Sequence, residues 1–339
     1  MYNKLFDVPV PKIVSAEEYF SLHTYDPYRR KIGLVDVDGH NYPNLPLMKI
    51  SAYHKMRGDV VSWYDPLTSG HLDAVYMSKV FSFTKDYTYP IDADYIIKGG
   101  SGYAIHMTNG KEVYDKTADE SLPDLIEHIY PDYSLYPDKT KDTAYGFLSR
   151  GCPRGCDFCH VAAKEGKCSV KVADLCEFWQ GQKNIVLCDP NILACPDWKN
   201  LLQQLIDSNA YVDFNQGLDI RLMTEEKATM LNNIKTKSVH FAWDRYDDID
   251  TILPKFKLFK DITGWDYRKM SVYVLVNFNT TLKQDLERIY KLRDLGYNPY
   301  VMVYDKEHTT GRDPVRRLQR WVNNRILFRT VQTFDEYEG

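Results

Sequence analysis

Two stretches of the chain alternate short apolar runs with helix-spaced apolar positions, and they predict two blocks of strands and helices. In the first, over residues 30–115, Ile32-Gly33-Leu34-Val35-Asp36-Val37 has the form of a buried strand. A helix is expected next, with Leu47, Ile50 and Ala52 facing inward and Gly58 as its C-terminal stop. Runs at 60–64, 74–77 and 95–97 predict three more strands, so the block reads as an open doubly wound sheet.

The second block runs from about residue 144 to 325, with expected strands at 144–149, 184–188, 210–214, 237–242, 271–276 and 300–304. Helices fit between them. Pro196, Trp198, Leu201, Leu202 and Leu205 mark one. Thr281-Leu282-Lys283-Gln284 has the form of a capping box and opens another, along Leu282, Leu286, Ile289 and Leu292, until Gly296 and Pro299 end it. Six strand–helix repeats predict a parallel sheet curled into an incomplete barrel, a fold that binds ligands at the C-terminal ends of its strands. The polar segment between the blocks has prolines at 123, 131 and 137 and reads as a linker. The expectation is an α/β protein with a Rossmann-like domain over 1–120, a linker over 121–143 and a partial (β/α)6 barrel over 144–339. Its C-terminal helical extension, around Arg320 and Trp321, should pack over the barrel mouth.

Composition narrows the class. With 339 residues, 44% of them apolar, the chain can bury a sizeable core. No run approaches the roughly 20 apolar residues that span a bilayer, and Met1-Tyr2-Asn3-Lys4 opens no secretory segment, so a cytoplasmic protein without a membrane partner is expected. A net charge of −4 gives no global attraction to nucleic acid. A local basic patch (Arg312, Arg316, Arg317, Arg320, Arg325 and Arg329) reads as a solvated helix face, with phosphate binding as the alternative.

The chemistry sits in Ser149-Arg150-Gly151-Cys152-Pro153-Arg154-Gly155-Cys156-Asp157-Phe158-Cys159. Three thiolates spaced C-x3-C-x2-C can hold three irons of a [4Fe–4S] cluster and leave the fourth iron open to a ligand. Zinc held by the three cysteines and His160 is the rival, but His160 adjoins Cys159 and no second C-x2-C knuckle exists. A redox dithiol would not need the third cysteine. The other four, Cys168, Cys176, Cys188 and Cys195, lack knuckle spacing and are expected to be buried free thiols.

Ser-Arg-Gly-Cys-Pro leading into C-x3-C-x2-C, with Phe158 before the last cysteine, resembles the radical S-adenosylmethionine (SAM) superfamily over residues 144–305. The resemblance implies that Cys152, Cys156 and Cys159 ligate a [4Fe–4S] cluster whose open iron is chelated by SAM. An electron from the cluster would then cleave the sulfonium C–S bond, giving methionine and a 5′-deoxyadenosyl radical. An electron donor such as flavodoxin or ferredoxin is implied as a partner. Where the family has Gly-Gly-Glu after its second strand, this chain has Cys188-Asp189-Pro190-Asn191, which makes Asp189 and Asn191 candidate SAM contacts. Later strand ends offer Arg221 for the SAM carboxylate and Asp244 or Asn277 for the ribose, and Phe158 completes the SAM set.

The N-terminal block is similar to the cobalamin-binding domains that precede some members of this superfamily. Asp38-Gly39-His40 stands where those domains carry Asp-x-His-x-x-Gly, with the His on cobalt; Ser78 stands in their Ser-x-Leu, and Gly99-Gly100 at their glycine pair. Pro43 replaces the glycine of the first motif. The resemblance leaves open both a cobalamin-bound domain and one that has kept the fold without the cofactor.

Three functions follow: cobalamin-dependent radical methylation, hydrogen abstraction or rearrangement with a cofactor-free N-terminal domain, and, from another class, non-catalytic iron–sulfur or zinc binding. Methylthio transfer is disfavoured, because residues 1–151 contain no cysteine for a second cluster. Neither charge nor motif chooses among RNA, peptide, lipid and small metabolite as substrate, so nucleic acid stays open as a partner.

Overall fold

The computed structural model describes residues 2–3, 8–23, 28–108, 111–119 and 121–339. It is a mixed α/β structure with parallel sheets, in two compact units. The first unit comprises 1–145, 155–164 and 176–182, and the second 146–154, 165–175 and 183–339. No described helix is long and apolar enough to cross a membrane.

The first unit is built on a five-stranded sheet. Its order from one edge is Lys12–Ile13, Ala93–Gly99, Leu72–Ser78, Lys31–Asp36 and Val60–Trp63, and every pairing is parallel. The four expected strands are present; the two-residue edge strand carries no periodic signal and was not anticipated. Side-chain alternation divides the core in two. Ile32, Leu34, Ala74, Tyr76 and Ile97 pack against helices at Ala16–Leu22, Leu45–Met56 and Asp124–Glu127. Val35, Val75, Met77 and Ala93 face the other way and are covered by Tyr64, Tyr87 and Ile91 from loops. Among the described residues, segments 64–71 and 79–92 form no helix, so the doubly wound expectation fails: helices cover one face and loops the other.

The helix Leu45–Met56 starts where Asn44 accepts a hydrogen bond from Leu47 N–H (3.2 Å), with a proline in its first turn. Leu47 and Ile50 are buried as expected, whereas Ala52 is only half-buried and Tyr53 and His54 face the core in its place. The segment read as a linker belongs to this unit: Ile126 is fully buried in its core, and Tyr133 O–H donates to Phe178 C=O (2.6 Å).

In the second unit the parallel strands fall where the apolar runs place them. Asn184–Leu187 pairs with Tyr211–Phe214, and Val239–Ala242 pairs with Met270–Val276, which pairs in turn with Asn298–Val303. A parallel bridge between Leu218 and Phe241 joins the two groups. The run expected as one strand over 144–149 is interrupted. The strand Thr143–Gly146 ends first, and Ser149–Arg150 then turns away to pair antiparallel with Val170–Lys171. The capping box at Thr281 is formed and opens the helix Leu282–Asp294.

The C-terminal extension covers a sheet edge instead of a mouth. Asn323 donates to Val301 C=O (3.0 Å) and accepts from Val301 N–H (2.7 Å), replacing a strand neighbour along Asn298–Val303. Trp321 is fully buried against Phe328 and Phe334. The basic patch is partly spent on the chain's own terminus: Arg317 donates to Tyr337 C=O, and Arg320 to Gly311 C=O (2.8 Å) and Gly339 C=O (3.4 Å).

Candidate functional site

The cysteine loop leaves the second unit through a hairpin that a buried carboxylate anchors. Asp189, just past the strand Asn184–Leu187, accepts from Leu148 N–H (3.0 Å), Ser149 N–H (2.5 Å) and Ser149 O–H (2.6 Å). Burial pushes its carboxyl up to about 6, against the pull of these donors. Both oxygens are thus engaged in holding the start of the loop, which makes Asp189 a loop anchor; its expected contact with the SAM ammonium is not what its oxygens serve here.

Gly151 turns the chain into the loop at φ +88°, a value L side chains rarely adopt, and a Cβ there would strike the Cys168 carbonyl. Cys152 N–H then donates to Gly166 C=O (3.1 Å). Asn191 is buried, with its amide nitrogen 3.5 Å from Cys152 Sγ and 3.3 Å from Asp219 Oδ2, and its Oδ1 has no partner among the described residues. Cys152 and Cys156 are half-buried, Phe158 likewise, and Cys159 is exposed. His160 and Glu112, both in the first unit, lie 3.3 Å apart, so the His160 ring is paired with a carboxylate. Cys188 and Cys195 are buried as expected, but Cys168 and Cys176 are exposed: Cys168 sits in the bend before the short Val170–Lys171 strand and Cys176 in the single 3-10 turn Leu175–Glu177, not in core elements.

Further along, Asp219 gathers cations. It accepts from Arg154 Nε (2.6 Å) and Arg221 Nε (2.7 Å), and Arg221 also donates to Asp248 (3.0 Å). Burial alone would raise the Asp219 carboxyl; the hydrogen bond and charge of Arg221, with those of Arg154, outweigh it and hold the group below the usual range. Arg221 is therefore held between two carboxylates, and its expected pairing with a ligand carboxylate would have to displace one of them. Asp244 differs. Burial pushes it up to about 6, with Arg221 and Arg288 pulling the other way, and it makes no hydrogen bond among the described residues. Asn277 adopts φ +66° and donates from Nδ2 to Tyr304 C=O (3.1 Å), leaving its side-chain oxygen as an acceptor.

Two features escaped the sequence reading. Arg288, fully buried, ties together the ends of two parallel strands: it donates to Trp243 C=O (2.6 Å) and Leu275 C=O (2.7 Å) and pairs with Asp285 (2.6 Å). The signal was a charged pair inside the inward stripe of the helix that carries Ile289 and Leu292. The second is a polar row on one face of the parallel strands, where Asp213, His240, Ser271 and Tyr273 alternate with buried Val212, Phe241, Val272 and Val274. His240 hydrogen-bonds Ser271 (2.6 Å) and stacks parallel to Tyr273.

The cobalamin candidates in the first unit are engaged with their own chain. Asp38 accepts from Val80 N–H (2.5 Å), Phe81 N–H (3.3 Å) and Thr84 O–H (2.6 Å). Ser78 accepts from Asn44 Nδ2 (2.8 Å), and the His40 ring lies 4.1 Å from the Trp63 ring. Gly99 C=O accepts from Lys79 N–H, and Gly100, at φ +100°, faces the Lys79 carbonyl so closely that a Cβ would collide with it. The close approach that the glycine pair permits is taken by protein backbone. These residues do not fit a corrinoid, because the chain itself takes the groups that would receive it. A cavity of about 800 Å3 in the same unit, bounded in part by Lys55, His128, Tyr130 and Lys141, is lined by none of the candidate site residues.

The thiols are right in kind and number for three ligands of an iron–sulfur cluster, and the unpartnered Asn191 Oδ1 beside Cys152 marks a polar position the chain itself leaves unfilled. Among the described residues, however, no group of three His, Cys, Asp or Glu side chains is gathered as a metal site. No family model matches the chain, and no curated protein matches it.

Proposed function

We propose that the chain is a radical SAM enzyme with a cofactor-free N-terminal unit, acting by hydrogen abstraction or rearrangement. The observation that carries this is the C-x3-C-x2-C loop, entered through a hairpin at the carboxyl end of a strand that leads a series of parallel strands. On this reading the first unit is a Rossmann-like domain that keeps helices on one face only, and the second a six-stranded partial barrel. The spacing of the six apolar runs and the parallel pairing of the five strands from Asn184–Leu187 to Asn298–Val303 support this.

Cys152, Cys156 and Cys159 would hold the cluster, and gathering the thiols is left to iron. The cluster, when bound, supplies one electron to the sulfonium of SAM. The chain's own residues do the rest. Asp189 holds the loop entrance. Asn191 steadies Cys152 and offers Oδ1. Asp244, without a hydrogen bond among the described residues, is suited to accept from ribose hydroxyls, and Asn277 offers a second acceptor. Arg288 fixes the strand ends that carry Asp244 and Asn277. Phe158 lies on the loop where it can shield the cluster from water.

The test is anaerobic reconstitution followed by SAM and a strong reductant. The expected result is release of 5′-deoxyadenosine and methionine, abolished in Cys156→Ala. Iron bound without SAM cleavage would favour a non-catalytic iron–sulfur protein, and zinc in its place would favour a structural metal site. Hydroxocobalamin added during reconstitution should not be retained.

A further inference from the structure

We propose that Asp219 is a positioning residue: its carboxylate orients the Asn191 side-chain amide, presenting Oδ1 to a ligand N–H, and clamps the cysteine loop through Arg154. The identity of that ligand group, the SAM ammonium, rests on the radical SAM reading; the clamp does not. All the groups involved lie in the second unit.

An Asn amide has a donor end and an acceptor end of nearly the same shape, so its neighbours decide which way it points. Asp219 decides it here. A carboxylate only accepts, and Asn191 Nδ2 lies 3.3 Å from Asp219 Oδ2 and 3.5 Å from Cys152 Sγ. Each amide hydrogen thus has an acceptor, whereas the reversed amide would set oxygen against oxygen at Asp219. Oδ1 is left turned away, buried and without a partner among the described residues. The backbone beneath it is held, because Asn191 C=O accepts from Ser169 O–H (2.9 Å) and Ala194 N–H (3.1 Å). Asp189 has both oxygens engaged at the loop entrance, so the ammonium contact expected of it falls to Asn191 Oδ1.

Asp219 is itself fixed by cations. Its Oδ1 accepts from Arg221 Nε (2.7 Å) and Arg221 N–H (3.2 Å), and its Oδ2 from Arg154 Nε (2.6 Å). The Asp219 side chain is only 6% exposed, so solvent screens these contacts little. Arg154 stands between Cys152 and Cys156. One carboxylate therefore reaches the loop twice, directly at Arg154 and through Asn191 at Cys152.

Two measurements test the assignment. In iron-free full-length protein, backbone hydrogen exchange over residues 150–156 should be about tenfold faster in Asp219→Asn and in Arg154→Gln than in wild type. The buried strand Met270–Val276 should exchange as before, which checks that the variants are folded. In the iron-loaded protein, SAM affinity by equilibrium dialysis should fall about tenfold in Asn191→Ala and in Asp219→Asn. Adding Asn191→Ala to Asp219→Asn should then cost no more than about twofold further, because the amide has already lost its orientation. A further loss of the full tenfold, or loop exchange unchanged in both variants, would overturn the proposal. Wild type that takes up no iron, or takes up iron and binds no SAM, would instead overturn the radical SAM reading, and the exchange rates alone would decide for or against the clamp.

Discussion

Both units end their parallel strands in loops rich in polar residues, yet the two sets of loops are used differently. In the first unit the groups at the expected cofactor positions close on their own chain: Asp38 on the backbone of 80–81, Ser78 on Asn44, Gly100 on Lys79. In the second unit some are left unmatched among the described residues, including Asn191 Oδ1 beside a thiol and Asp244, whose carboxyl makes no hydrogen bond there and is held up near 6 by burial. A buried polar group without a partner costs stability, so a chain that keeps such groups at strand ends marks where a ligand belongs. Strand-end position alone does not make a site, and the first unit shows it.

The sharpest way to break this contrast is through Arg288. Removing one member of a fully buried ion pair strands the other, so Arg288→Leu should cost about 3–5 kcal/mol in denaturant unfolding. Arg288→Leu with Asp285→Leu should recover a large part of that, and equal losses in the single and double variants would contradict the pairing.

Next is pH. The folded-state pKa of Asp189 lies near 6, above its ordinary unfolded value. The folded chain therefore binds that proton more tightly. The stability it contributes is complete below about pH 4 and lost as pH rises through about 6, a change of about 3 kcal/mol. Asp244 acts in the same direction. Asp189→Asn should flatten part of this slope, measured as denaturant midpoints across the range, and an unchanged slope would contradict the burial argument.

In the first unit, Asp38→Ala should lower stability by about 1–3 kcal/mol through loss of its hold on residues 80–84, and should leave iron uptake unchanged. A loss of iron uptake would contradict the reading of Asp38 as a group closed on its own chain. The smallest expected effect is that of Thr281→Ala, about 1 kcal/mol from a lost helix cap far from the loop.

The strands were legible because their apolar runs are dense: the six of the second block and four of the first fall within a few residues of expectation. The helix Leu282–Asp294 was legible from its cap. The covering of the first sheet was not. Tyr64, Tyr87 and Ile91 reach its second face from aperiodic loops, and only the fold shows that they take the place of a helix. The segment 121–143 has a linker's composition, yet single buried residues such as Ile126 and Tyr136 bind it into the core. For the site, the thiols were evident from spacing, but the partners of Asp189 and Arg221 were not. A carboxylate or guanidinium looks the same in sequence whether it awaits a ligand or already holds its own chain.

Iron and acid-labile sulfide per chain, after anaerobic reconstitution of the reduced protein and of its Cys152→Ala, Cys156→Ala and Cys159→Ala variants, test the central claim most directly. The account predicts about four irons and four sulfides in the wild type and loss of both in each variant. Zinc in the wild type, or iron retained after the three substitutions, would contradict it.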